Sequence, residues 1–130
     1  MADRQQPDHS QVPRAFSIEA STPGEDGVSV LVIAGEADLA TSGRFREHVE
    51  RALDAQVRGL VADVADVSFM DSTMLRELLR AHRELEAAGA RFVLAGVQPE
   101  VKRLLDLTGT SELFALAPTR SAAVTRASAG

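Results

Sequence analysis

The sequence predicts an α/β fold: a small, mostly parallel mixed sheet with one antiparallel edge, packed against helices. Three observations carry this reading. Short apolar runs rich in Val, Ile and Leu recur at Val28–Ala34, Leu60–Val64 and Arg91–Val97, each the length of a strand buried on both faces. Stretches with apolar residues at helical spacing separate them. Turn-forming residues, mostly Gly, mark the joints. At 130 residues the chain can build one sizeable core, and a single domain is expected over residues 15–124.

The elements follow in order. Residues 1–14 are polar, carry Pro7 and Pro13 and show no period, so they are expected to be a disordered leader. Phe16 and Ile18 alternate with Ser17 and Glu19, as in a half-buried strand. The turn cluster from Thr22 to Gly27 joins this strand to the run at Val28, and the two are expected to pair as a hairpin. Gly35 to Ser42 reads as a loop, with Thr41 or Ser42 capping the first helix. Phe45, Val49, Ala52, Leu53 and Gln56 form that helix's apolar stripe, with Arg44, Glu47 and Glu50 outside. After Gly59 comes a third strand, Leu60–Val64. Ala65 to Met70 lead to Asp71-Ser72-Thr73, where the strongest helical pattern begins. There Met74, Leu78, Ala81, Leu85 and Ala88 face inward, Leu75, Leu79 and His82 widen the stripe, and Arg76, Glu77, Arg80, Arg83 and Glu84 face water. Gly89 ends it. A fourth strand spans Arg91–Val97. Pro99 opens a short helix carrying Val101, Leu104 and Leu105. Leu113–Leu116 is a brief last strand, followed by an Ala-rich helix and a frayed tail at residues 125–130. The order is β-β-α-β-α-β-α-β-α, and helices alternating with strands favour parallel pairing.

Composition removes several functions. Without cysteine there is no disulfide, thiol nucleophile or iron–sulfur site. The three histidines, His9, His48 and His82, are far apart, and none forms a metal-binding pair at one-turn spacing. A net charge of −5, with no Trp or Tyr, makes nucleic acid a poor partner. No apolar stretch is long enough to span a membrane, and the N-terminus lacks a secretory pattern, so a cytoplasmic protein is expected. Asp38, Asp63, Asp66 and Asp71 lie near strand ends and could gather around Mg²⁺ as an enzyme site. Asp is also the usual residue of loops and caps, so no cofactor or metal is expected. A phospho-aspartate receiver is disfavoured, because the one lysine, Lys102, lies on a helix and the opening hairpin is foreign to that design.

Asp71-Ser72-Thr73 admits two readings. Such a triplet at a strand-to-helix turn caps the helix. The same spot also suits phosphate, because first-turn amides point outward and the helix dipole is positive there. A phosphoserine adds about −1.5 to −2 charges. The domain would tolerate that, whereas a partner covering the site with acidic or apolar surface would not.

Three segments extend this reading. Ile33-Ala-Gly-Glu-Ala-Asp-Leu-Ala-Thr41, Leu60-Val-Ala-Asp-Val-Ala-Asp-Val-Ser-Phe-Met-Asp-Ser-Thr-Met-Leu75 and Val93 through Gly109 resemble, in order, the segments of the sulfate-transporter and anti-sigma-factor-antagonist (STAS) domain. Within it, they resemble the bacterial anti-sigma factor antagonists. The resemblance implies a cytoplasmic, non-catalytic regulator of transcription that binds an anti-sigma factor serine kinase and frees its sigma factor. It implies phosphorylation of Ser72 by that kinase and reversal by a serine phosphatase. It maps Asp38 to a partner-contact position, and Asp71, Thr73 and Met74, next to Ser72 in the chain, are expected to contact the partner as well. No nucleic-acid contact or membrane insertion is implied, and a monomer or weak dimer is expected. Ala37 and Met74 stand where the family has Leu and Gly. Met74 either adds apolar bulk at the partner surface or points into the core. A non-catalytic scaffold or accessory subunit of a stress-signalling or transporter complex is the alternative.

Overall fold

A computed structural model describes residues 15–129; the expected leader lies outside the described residues. The elements are β1 (Ser17–Ala20), β2 (Val28–Ala37), α1 (Leu39–Asp54), β3 (Gly59–Met70), α2 (Ser72–Ala87), β4 (Arg91–Ala95), α3 (Pro99–Leu107), β5 (Ala115–Ala117) and α4 (Arg120–Ser128). They build one five-stranded sheet in the order β1-β2-β3-β4-β5. β1 pairs antiparallel with β2, and the remaining pairs are parallel. The expected element order, hairpin and mixed sheet are all present.

This topology decides where the core sits. Each crossover from β2 to β5 steps one place in the same direction, and right-handed connections then put α1, α2 and α3 on one face. Leu31, Ile33, Phe45, Leu60, Leu78, Leu85, Leu94 and Leu105 fill the space between that face and the helices. Burying each such side chain contributes roughly 1.5–3 kcal/mol before the entropy of ordering it is subtracted. α4 follows the last strand and closes the other face over a smaller cluster that includes Val28, Val61, Val93, Ala123 and Ala127. Covered on both faces, Leu60 to Val64 shows no polar alternation; Asp63 is its one polar residue, buried against Arg120.

Several boundaries differ from expectation. β2 does not end at Ala34, because β3 runs on to Met70 and keeps it paired, with Glu36 opposite Phe69 and Ala37 opposite Met70. α1 therefore starts at Leu39 with Asp38 as its cap, and neither Thr41 nor Ser42 occupies that position. Ser42 is buried and donates to the Leu39 carbonyl at 3.1 Å. Gln56 is not part of the apolar stripe: it is exposed, beyond the end of α1, with φ at 55°. Glu77 is buried rather than wet, because it pairs with Arg46 of α1. β5 begins at Ala115, leaving Leu113 half-exposed. The tail is helical through Ser128, with Ala127 only 1% exposed. Gly59 makes that possible, since a Cβ there would lie 2.6 Å from the Ala127 carbonyl oxygen.

Candidate functional site

β3 pairs with β4 only from Gly59 to Asp63, yet it pairs with β2 as far as Met70. The last residues of β2 and β3 thus leave the sheet as a two-stranded ribbon, and α1 and α2 both begin at its tip. The Asp71 amide donates to the Ala37 carbonyl at 3.1 Å and closes the ribbon. The Asp71 carboxylate then serves both helices. Oδ1 accepts from the Met74 amide at 2.9 Å, and Oδ2 accepts from the Leu39 amide at 3.1 Å. First-turn amides lack helical acceptors, and the helix dipole favours a negative group beside them, so one side chain caps two helix starts. Asp38 is held similarly. Its amide donates to the Thr41 hydroxyl at 2.9 Å, and that hydroxyl lies 3.3 Å from the Asp38 carboxylate.

Ser72 is the first residue of α2, and it is exposed. Thr73 beside it is half-buried. Met74 is 0% exposed and packed in the main core, which corrects the expectation that it contacts a partner. Two residues on from Ser72, the helix has turned by about 200°, which points that side chain at the core. Two residues absent from the sequence-based expectation stand out instead: Leu39 is 70% exposed and Phe69 is 50% exposed. Leu39 could have been found had Asp38 been taken as the cap, because the residue after a cap faces outward. Phe69 carries no local signal, since the pattern around it (Val67 and Met70 buried, Ser68 and Phe69 exposed) breaks strict alternation.

The four aspartates do not converge. Asp63 is buried and accepts from Arg120 at 2.7 Å and from the Ala65 amide at 3.1 Å, which fastens the start of α4 to the sheet. Asp66 is exposed. Among the described residues, no three His, Cys, Asp or Glu side chains come together in a way that could hold a metal ion. Across the helices, the Arg46 guanidinium hydrogen-bonds Glu77, holding that carboxyl below its ordinary range and Arg46 above its own. Burial, helped by Arg51 and Arg44, pushes His48 down. A cavity of about 550 Å³ is lined by residues from the end of α2, β4, the turn before β5 and α4, including His82, Phe92, Phe114 and Arg126. None of its lining residues belongs to the ribbon. Among the described residues, no helix is long and apolar enough to cross a membrane.

The tip thus presents a solvent-exposed serine at the first position of one capped helix, beside the capped start of another and close to two exposed apolar side chains. The family model of the STAS domain matches residues 19–123. The chain belongs to the STAS domain family. This STAS domain is 31% identical over 99 residues to the anti-sigma-B factor antagonist of Listeria monocytogenes, covering 76% of this chain and 86% of the relative. The crystal structure of an anti-sigma factor antagonist from Mycobacterium paratuberculosis matches with a TM-score of 0.75 at 27% identity, over 87% of this chain and 94% of the other. The Bacillus cell fate determinant SpoIIAA in its phosphorylated form matches with a TM-score of 0.64 at 26% identity, over 86% of this chain and 98% of the other.

Proposed function

We propose that this STAS domain is an anti-sigma factor antagonist that binds an anti-sigma factor serine kinase, and that phosphorylation of Ser72 by that kinase ends the binding. The observation that carries the proposal is the exposed Ser72 at the first position of α2, beside Asp71 at the tip of the ribbon. The names of the curated relatives support the partner class, and a structural relative in a phosphorylated form supports the chemistry. The protein acts by binding and carries no catalytic step; kinase and phosphatase activity belong to its partners. Asp38, Asp71 and Thr73 form the polar part of the contact around Ser72. The scaffold alternative rests on Met74 standing where the family has Gly; the burial of that side chain in the core leaves the surface around Ser72 unaltered by it, which favours the antagonist reading.

The test is incubation with the kinase and Mg-ATP followed by phosphopeptide mapping. Phosphate on Ser72 is expected, and phosphate elsewhere overturns the reading. Ser72→Asp is expected to weaken partner binding more than about tenfold, while Ser72→Ala keeps binding and loses regulation. Equal binding by Ser72→Asp and the unmodified chain would refute the switch.

A further inference from the structure

Leu39 and Phe69 are the exposed large hydrophobics of the ribbon tip, each close to Asp71-Ser72. Phe69 precedes Asp71 by two residues on β3, and the Leu39 amide is bound to the Asp71 carboxylate at 3.1 Å. The carboxylates of Asp38 and Asp71 are oriented by the helix starts and keep acceptor capacity for a partner, while Leu39 and Phe69 add apolar surface beside them. Residues 36–42 and 65–75 contain Glu36, Asp38, Asp66 and Asp71 but no Lys or Arg before Arg76. Arg76, exposed one turn along α2 from Ser72, is the single cation set against these four carboxylates, so the tip is net acidic and attracts a basic margin.

We propose that Leu39 and Phe69 form an apolar seat around Ser72 for an apolar patch with a basic margin on the anti-sigma factor, and that phosphate ends binding because the closed contact would strip its water. The proposal rests on the reading above and adds the physical origin of the switch. A basic margin attracts phosphate, so Coulomb repulsion is the wrong cause. Burying a group of about −1.5 to −2 charges against apolar surface, without enough donors to replace its water, opposes closure whatever the partner's net charge.

The experiment is calorimetric titration of the full chain and its variants with the source organism's purified anti-sigma factor kinases, at about 0.1 M and about 0.5 M salt. Across that range the screening length falls from roughly 10 Å to about half that. Leu39→Ala and Phe69→Ala are each expected to weaken binding at least about tenfold while leaving the circular dichroism unchanged. The loss caused by Ser72→Asp is expected to persist at the higher salt. If both alanine variants bind like the unmodified chain while Ser72→Asp still fails, the seat is wrong and the Ser72 switch stands. If Ser72→Asp regains affinity at high salt, repulsion is the cause and the dehydration account falls. If Ser72→Asp binds fully, or no kinase binds the unmodified chain, the proposed function itself fails and takes the seat with it. If the alanine variants change self-association in sedimentation instead, the occupant is a second copy and the proposal is overturned.

Discussion

The two halves of β3 make opposite use of the same backbone. From Gly59 to Asp63 it lies between β2 and β4, with helices on both faces, and all five residues are buried. From Ala65 to Met70 it has β2 alone as partner, and four of the six residues are exposed. The first half holds the domain together, so its tolerance for change is low. The second half extends past the sheet to carry Phe69 and Asp71-Ser72, and change there acts on partners. The contrast teaches that function in this fold sits where a strand outruns its neighbour, anchored by the part that does not.

The largest effect is expected at the anchored end. In Gly59→Val the new Cβ would meet the Ala127 carbonyl oxygen at 2.6 Å and the Ala127 methyl at 2.8 Å. Neither backbone can yield without lifting α4 off the sheet and opening the second core cluster. A loss of about 2–3 kcal/mol is expected, read as a lower urea midpoint with Ala123 and Ala127 amides exchanging faster. A variant as stable as the parent would mean that α4 does not hold the scaffold half of β3.

The next effect concerns the helices rooted at the ribbon. Arg46→Ala strands the Glu77 carboxylate, whose side chain is only 10% exposed, and is expected to lower the urea midpoint at neutral pH. Because Arg46 holds the folded-state pKa of Glu77 below its unfolded value, the pair's contribution is complete above the unfolded value, near 4.3. It is lost as pH falls through the folded value. The gap in urea midpoint between Arg46→Ala and the parent should therefore be wide at pH 7 and narrow in strong acid. A gap that widens in acid would show that the pair is not the source.

How much of this was legible beforehand follows the same division. Leu60 to Val64 was readable because burial on both faces leaves a run that is apolar at every position but Asp63, and the stripe from Met74 to Leu85 because a helix repeats its own period. Asp71 and Ser72 were readable because cap chemistry is local. The continuation of β3 to Met70 was hidden, since exposure at Ala65, Asp66, Ser68 and Phe69 matches neither a buried nor an alternating strand. The start of α1 at Leu39 depends on Asp71, 32 residues away, and the burial of Glu77 on Arg46, 31 residues away. Ala127 looked like tail because a methyl group carries little signal until Gly59 lies opposite it. Long-range pairing decided each miss.

At the ribbon tip a smaller change is expected. Asp71→Ala removes acceptors from the Met74 and Leu39 amides together. Loss of a helix cap costs about 0.5–2 kcal/mol, and two first turns share this one. Asp71→Asn keeps one acceptor oxygen and should recover part of the loss. Amide exchange at Leu39 as well as Met74 is the deciding readout, because a cap serving α2 alone would leave Leu39 unaffected.

The smallest effect on stability is expected where the largest effect on binding lies. Ser72 is exposed at the first position of α2, where a negative group faces the positive end of the helix dipole. Ser72→Asp should therefore shift the urea midpoint by the equivalent of no more than about 0.5 kcal/mol, and toward greater stability. Asp71 is close enough to oppose part of that gain, and raising the salt should shrink what remains. If Ser72→Asp instead destabilises the domain by more than about 1 kcal/mol, its effect on a partner is no longer separable from partial unfolding of α2. The two halves of β3 would then be one unit, and the division between anchor and contact surface would have to be withdrawn.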